Sequence, residues 1–292
     1  MVTPRATSTV VDVTVFLLLI GAAATAVVGA VAVDTPETAN PAADTAELLA
    51  TSTASVEYAL DPPGRPPEWT ANATASHQRT AHGTVAELLG EAAMSGVTVH
   101  GKRLSTAGIG FERAVEATTR ERLAGSGRQT SVRVRWEPYP GAPVRATARV
   151  GERPPPSADV RTATLGVASP MPNATSGARR GAREAGYRGV AIVVASAVVD
   201  GLFPPSQTRL ALRGDYPGER LMATRYRRMG RLTDAGRLPL GSRSVADLNA
   251  RLTVHLADGL AADMRGRFDS PVAAARAVQT ERVHITVRTW SP

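Results

Sequence analysis

Residues 131–150 read SVRVRWEPYPGAPVRATARV. In two segments, 131–136 and Val144–Val150, apolar residues alternate with polar ones, and the Pro- and Gly-containing stretch EPYPG lies between them. Alternation with a period of two, bounded by turn residues, is typical of antiparallel strands. The stretch therefore predicts a β-hairpin with one buried apolar face and one exposed face that carries arginines.

The segments outside the hairpin extend this prediction. Alternation also occurs over 159–167 and over 282–288, which predicts two more strands. Apolar residues at spacings of three and four predict the helices 84–94, 111–123 and 244–264. The uncharged run 189–199, followed by Pro204 and Pro205, predicts a long buried helix over 178–203. Thr84 with Glu87 three residues later forms a capping-box pattern at the first of these helices. The sequence therefore predicts an α+β fold in which an antiparallel sheet is packed by several helices.

The composition and the absence of known motifs exclude several kinds of catalytic and metal site. The net charge is +8, Lys102 is the single lysine, and cysteine is absent, which excludes disulfides, cysteine zinc sites and thiol catalysis. The motifs of zinc proteases, serine hydrolases, P-loop proteins and dinucleotide-binding proteins are absent. The five histidines occur singly, and paired acids on amphipathic helices are interpreted as facing water. We expect no enzyme activity, no metal and no cofactor.

An uncharged apolar segment lies near the N-terminus. Residues 13–33 read VTVFLLLIGAAATAVVGAVAV, and about 20 helical residues cross a bilayer. Arg5 precedes this segment, and every charged residue that follows it as far as residue 61 is acidic. The positive-inside rule therefore places the N-terminus in the cytoplasm. We therefore predict a single-pass protein of the cell membrane. It has a cytoplasmic N-terminus (1–12), a transmembrane helix (13–33), a neck (34–80) and a basic extracellular domain (81–292).

Two other interpretations of residues 13–33 stay open. Ala30-Val31-Ala32 offers a signal-peptidase site, and cleavage after Ala32 would release a secreted module. The segment could also be a buried core helix.

Gly21, Thr25 and Gly29 recur every four residues and would let a second membrane helix approach closely, although a Gly- and Ala-rich span also produces this spacing by chance.

The charge is distributed unevenly along the chain. Residues 34–61 contain six acidic residues and no basic one, within a neck that is Pro-rich towards its end and has a short helix (46–50) and strand (55–60). The chain from residue 62 onward has a net charge of +14. This asymmetry indicates that the extracellular domain meets an anionic partner.

Six arginines lie at the outward positions of the predicted strands. Like charges opposite each other across strands are destabilising, so a shared face would favour an anionic partner: the neck itself, an acidic surface protein, an anionic glycan or lipid, or DNA. Only 4% of the residues are aromatic, which makes nucleic acid an unlikely partner. The alternative is that these arginines are ordinary solvated surface residues. They are Arg133, Arg135, Arg145, Arg149, Arg282 and Arg288.

Two Asn-Ala-Thr sequons, at Asn72 and Asn173, fall in predicted loops. Such sequons are N-glycosylation acceptors in exported proteins. They agree with an extracellular domain, and chance also explains them.

The N-terminus and several internal stretches carry a family resemblance. Asp12 before an unbroken apolar helix resembles the N-terminus of archaeal type IV pilins, in which an acidic residue near the start of the mature chain pairs with a neighbouring subunit. The stretches HGTVAELLGEAA (82–93), RWEPYPGAPVRA (135–146), GLFPP (201–205) and VRTWSP (287–292) resemble an uncharacterised haloarchaeal family of pilin-like membrane proteins encoded near secretion or pilus-assembly genes. The resemblance implies a pilin-like or secretion-system accessory protein with other such subunits as partners, and no catalytic residue.

Overall fold

The computed structural model describes residues 40–60, 78–124, 127–214, 217–240 and 244–291. The described part of the chain forms an α+β fold with eight helices, a two-stranded sheet and a six-stranded antiparallel sheet. The elements in chain order are α1 (Pro41–Thr51), β1 (Thr53–Ala59), β2 (Gln78–Thr84), α2 (Val85–Ser95), β3 (Thr98–Val99), β4 (Lys102–Arg103), α3 (Ile109–Leu123), β5 (Gln129–Trp136), β6 (Val144–Val150), β7 (Arg161–Ala168), α4 (Thr175–Leu202), α5 (Pro205–Arg213), α6 (Gly218–Leu232), α7 (Val245–Arg267), α8 (Pro271–Arg276) and β8 (Arg282–Trp290).

The six-stranded sheet has the order β4-β3-β6-β5-β8-β7. The predicted hairpin is confirmed as β5 and β6, with Val134 opposite Ala148, and the C-terminal strand β8 lies between β5 and β7. Every pairing in the sheet is antiparallel. The last strand of the chain is therefore an interior strand, one position from the β7 edge of the sheet.

One face of this sheet is buried and the other is exposed. Val132, Val134 and Trp136 of β5 are fully buried, as are the alternating positions of β8 that begin at Val283. Helices α1 and α2 pack on this apolar side. The outward positions alternate with the buried ones and hold the arginines, as the period of two requires.

The start of α2 follows from its first turn. The Thr84 side chain accepts a hydrogen bond from the backbone N–H of Glu87, and the Glu87 carboxylate accepts one from the backbone N–H of Thr84 at 2.9 Å. The predicted capping box is thus confirmed. Buried Leu88 and Leu89 direct the helix onto the sheet.

The segment Pro41–Ala59, which the sequence places within the neck, lies in the compact unit Pro41–Pro292. Ala42, Leu49 and Val56 are at most 2% exposed and belong to the hydrophobic core. The helix begins at Pro41 rather than at residue 46, and β1 pairs with β2. Burial of these three side chains outweighs the Pro- and Ala-rich composition that resembles a linker.

The prediction of one continuous helix over 178–203 is wrong. In α4 the backbone leaves the helical conformation at Ala185 and at Gly186, where φ is +59°. The two arms, 175–184 and 187–202, fold back on each other, and a Cβ atom on Gly189 would lie 2.1 Å from the carbonyl oxygen of Gly181. Backbones can approach this closely only where both residues lack a side chain.

Among the described residues, α4 alone is long and apolar enough to cross a membrane by length and composition, and half of its most apolar stretch is buried in the fold. A helix needs about 20 residues to cross a bilayer. Because α4 folds back at Ala185 and Gly186, each of its arms is shorter than this. Helix α4 packs against α7, and the fully buried Val190, Val194 and Val198 identify its second arm as a core helix. The predicted transmembrane helix, 13–33, lies outside the described residues.

The turn between β5 and β6 joins the sheet to the helical layer. The Tyr139 hydroxyl donates to Asp263 Oδ2 at 3.1 Å, and Arg267 binds the same carboxylate through Nε and Nη2 at 3.1 and 2.9 Å. Burial, followed by the charge of Asp263, raises the pKa of Tyr139 far above its ordinary value. Trp136 Nε1 donates to the carbonyl oxygen of Thr280 at 2.8 Å. The residues EPYPG that resemble a family motif thus have a structural role here.

Candidate anion-binding site

The exposed face of the sheet carries a group of arginines around a shallow open cavity. The cavity has a volume of about 360 Å³. We name this site the arginine pocket. Its lining residues are Ser131, Arg133, Arg149, Arg153, Pro154 and Arg288.

Strand register brings three of these arginines together. Arg133 of β5 lies directly opposite Arg149 of β6. On the other side of β5, Ser131 lies opposite Arg288 of β8. Residues opposite each other across an antiparallel pair have Cβ atoms about 4.5–5.5 Å apart. The pairing of three consecutive strands in this sheet therefore concentrates three positive charges on one small area.

The turn after β6 supplies the fourth arginine. Gly151 has φ +79°, and a Cβ atom there would lie 2.2 Å from the carbonyl oxygen of Thr130. Only glycine permits this close approach of the turn to the start of β5. The chain then continues to Arg153 and Pro154, which line the arginine pocket. The glycine thus places Arg153 beside the strand arginines.

These four arginines lack a carboxylate partner within the described ranges. The six ion pairs found there involve Arg103, Arg120, Arg135, Arg161, Arg188 and Arg267. Guanidinium groups bind carboxylate, phosphate and sulfate groups through paired N–H donors. An oxyanion is consequently the chemical group that complements the arginine pocket.

The remaining three predicted arginines lie on the same face but outside the pocket. Arg135 binds the Glu137 carboxylate at 2.6 Å, which neutralises its charge. Arg145, the second residue of β6, lies opposite Thr98, and Arg282, the first residue of β8, lies opposite Ala168. The predicted set of six therefore separates into a pocket group of three and three arginines nearer the other end of the strands.

Asn173 is exposed just before α4, and its Oδ1 atom accepts a hydrogen bond from the backbone N–H of Thr175 at 2.9 Å. The second sequon, Asn72, lies outside the described residues. The same holds for the pilin-like acidic position Asp12 and for the predicted helix-packing residues Gly21, Thr25 and Gly29. These predictions stay predictions.

Among the described residues, no group of three or more His, Asp or Glu side chains is arranged to hold a metal ion. His284, which shares the exposed face, has its Nε2 atom 2.9 Å from Gln279 Oε1. The site as described is built from cations and hydroxyl groups.

Sequence reasoning missed Arg153. Alternation identifies which strand residues point outward, but residue 153 lies in the irregular stretch GERPPP, where no period applies. The one available signal was Gly151 directly after a strand, since a glycine at that position indicates a turn that needs positive φ. That signal shows where the chain turns and not towards which strand.

A model of DUF7284, a family of unknown function, matches residues 11–290. No curated protein and no solved structure matches the chain. The match covers nearly the whole chain, which agrees with the predicted resemblance to an uncharacterised family. It carries nothing about pilins, secretion systems or membranes.

Proposed function

The chain belongs to the DUF7284 family, whose function is unknown, and we propose that it is a binding module for an anionic polymer, such as a sulfated or carboxylated glycan. The observation that supports this proposal is the arginine pocket. Four arginines meet there on an exposed sheet face without a carboxylate partner among the described residues. A protein that keeps like charges together against their repulsion has a use for the positive potential.

The length of the basic face favours a polymer over a single small anion. Arg282 is the first residue of β8 and Arg288 lies six residues further along the strand, about 20 Å away at 3.4 Å per residue. Arg133 and Arg149 lie beside the Arg288 end, and Arg145 lies on the same face. A chain of repeated anionic groups can contact both ends, whereas one phosphate or sulfate occupies only the pocket.

Affinity chromatography and calorimetry with the full-length protein test this proposal. The probes are heparin and polyphosphate, and uncharged dextran is the negative control. Arg133→Gln combined with Arg149→Gln removes two pocket charges. Arg209→Gln combined with Arg213→Gln removes two exposed charges from α5 and is the matched control.

We expect the pocket variant to bind a polyanion at least about tenfold more weakly, because each charged hydrogen bond contributes about 1.5–3 kcal/mol. The α5 variant should stay within about twofold of the unchanged protein. Equal losses in the two variants would mean that net charge alone causes the binding. Failure of the unchanged protein to retain either polyanion would refute the proposal.

The predicted anchor sets where such a module would act. We infer from the sequence that residues 13–33 hold the folded region outside the cell membrane, and that the pilin-like assembly role is a further candidate that rests on Asp12 and the adjoining apolar segment. N-terminal sequencing of the mature protein separates the arrangements. An intact N-terminus indicates a plain anchor, a start at Thr7 indicates prepilin-type processing, and a start at Val33 indicates a released protein.

A further inference from the structure

A second group of arginines lines a groove in the helical layer. The groove lies between the first arm of α4 and the short helix α8, and its volume is about 440 Å³. We name it the hairpin groove. Its lining residues are Arg179, Ala182, Arg183, Val272, Ala275 and Arg276.

The fold holds these residues in place through the turn in α4. Close contact of Gly181 with Gly189 fixes the first arm against the second. On the first arm, Arg179 and Arg183 lie one helical turn apart, on the same side of the helix. Arg276 is the last residue of α8, and α8 packs against α4. Three guanidinium groups thus border one groove from two helices.

The charges of the hairpin groove are uncompensated in the described structure. Arg179, Arg183 and Arg276 are exposed and take part in none of the six ion pairs there. Arginines at positions i and i+4 of one helix repel each other. As in the arginine pocket, an oxyanion would relieve the repulsion.

The lining of the hairpin groove differs from that of the arginine pocket in one respect. Ala182 and Ala275 form an apolar floor with 9% and 1% of their surface exposed, and Val272 beside them is 47% exposed. In the arginine pocket, Pro154 is the single apolar residue of the lining. A ligand of the hairpin groove therefore gains from an apolar part as well as from a negative charge.

We propose that the hairpin groove binds a small phosphate monoester that carries an apolar group. The phosphate would be held by Arg179, Arg183 and Arg276, each able to donate paired N–H groups to its oxygens. The apolar group would cover Val272 and the alanine floor. The volume of about 440 Å³ lies in the range of small-molecule sites. This site is independent of the polymer-binding face.

Calorimetry with three soluble probes tests the proposal on the full-length protein in phosphatidylcholine nanodiscs. Phenyl phosphate has both parts of the predicted ligand, inorganic phosphate has the charge alone, and phenol has the ring alone. We expect phenyl phosphate to bind at least about tenfold more tightly than inorganic phosphate, and phenol not to bind measurably. Equal affinity for phenyl phosphate and inorganic phosphate would overturn the apolar part of the proposal, and no binding of phenyl phosphate would overturn all of it.

Variants assign the binding to the groove. Arg183→Gln and Arg276→Gln should each weaken phenyl phosphate binding about tenfold or more, because each removes a charged hydrogen-bond donor. Val272→Asn should weaken phenyl phosphate binding by about two- to tenfold and leave inorganic phosphate unchanged, since it removes apolar contact only. Because all three side chains are exposed, circular dichroism should show an unchanged fold.

Two control measurements keep this proposal separate from the proposed function. The arginine-pocket variant, Arg133→Gln with Arg149→Gln, should bind phenyl phosphate as the unchanged protein does. If it loses that binding while Arg183→Gln and Arg276→Gln keep it, the ligand occupies the arginine pocket and the hairpin groove is not a site. Nanodiscs that contain phosphatidic acid distinguish the sources of the phosphate group: competition with phenyl phosphate identifies a lipid headgroup, and absence of competition identifies a soluble ligand.

Discussion

Arg133 of β5 and Arg149 of β6 lie directly opposite each other on the exposed face of the sheet. Neither forms an ion pair with a described carboxylate. Like charges that face each other across strands destabilise a sheet, by about 0.2–1 kcal/mol for a pair. The pair therefore lowers the stability of the sheet. Under the anion-binding proposal, a bound anion would offset the repulsion between the two arginines.

Arg149→Gln should stabilise the protein while it weakens polyanion binding. Removal of one charge ends the repulsion with Arg133, so the free energy of unfolding in urea should rise by about 0.2–1 kcal/mol at low salt. The gain should shrink at high salt, because exposed charges are screened. Arg209→Gln, which has no opposing strand arginine, should change the unfolding free energy by less. A loss of stability in Arg149→Gln would show that this arginine has a favourable partner.

Gly151→Ala should destabilise the protein and reduce polyanion binding together. The new Cβ atom would lie 2.2 Å from the Thr130 carbonyl oxygen, at a residue with φ +79°. Strain of this kind costs about 1–3 kcal/mol, measurable by urea unfolding, and relief of the clash would move Arg153 away from the arginine pocket. Gly259→Ala is the matched control, since its Cβ atom would meet no atom within 4 Å. It should raise stability by up to about 1 kcal/mol, because alanine is the better helix residue.

The strands and their two faces were predictable, because a period of two fixes on which side each residue of 131–136 lies. The path of the chain between elements was not. The break of α4 at Ala185 and Gly186 lies before the apolar run 189–199, and Gly186 is one of four glycines between residues 177 and 189, so the sequence does not single out where the helix breaks. What decides the fold-back is the contact between Gly181 and Gly189, which is a tertiary contact that helical spacing does not reveal. The same reason hid Arg153, whose position depends on the turn at Gly151.

Gly189→Ala should destabilise the protein strongly, because the two arms of α4 would have to separate. The Cβ atom would lie 2.1 Å from the carbonyl oxygen of Gly181, and backbone atoms cannot move aside as a side chain does. We expect a loss of about 1–3 kcal/mol in the free energy of unfolding, as for overpacked cores. Gly266→Ala, where a Cβ atom has open space, should show no loss. Unchanged stability of Gly189→Ala would mean that the arms do not touch.

The stability of the protein should fall as the pH rises above about 10, and Tyr139→Phe should make this fall less steep. Burial and the nearby Asp263 charge raise the pKa of Tyr139 above its ordinary value of 10.0. At a pH above the pKa of Tyr139 in the unfolded chain and below its pKa in the folded protein, the unfolded chain has lost the phenolic proton and the folded protein keeps it. The unfolded state then binds fewer protons, so the unfolding free energy decreases as the pH rises. One such group contributes about 1.4 kcal/mol per pH unit.

Urea unfolding of the two proteins between pH 9 and pH 12 measures this slope. Tyr226, whose pKa is also raised by burial, should account for part of the slope that remains in Tyr139→Phe. Near pH 7 the same substitution should cost about 1 kcal/mol, because the hydrogen bond from the hydroxyl to Asp263 at 3.1 Å is lost. If both proteins show the same slope above pH 10, Tyr139 ionises in the folded protein as readily as in the unfolded chain, and the turn between β5 and β6 does not exclude water from it.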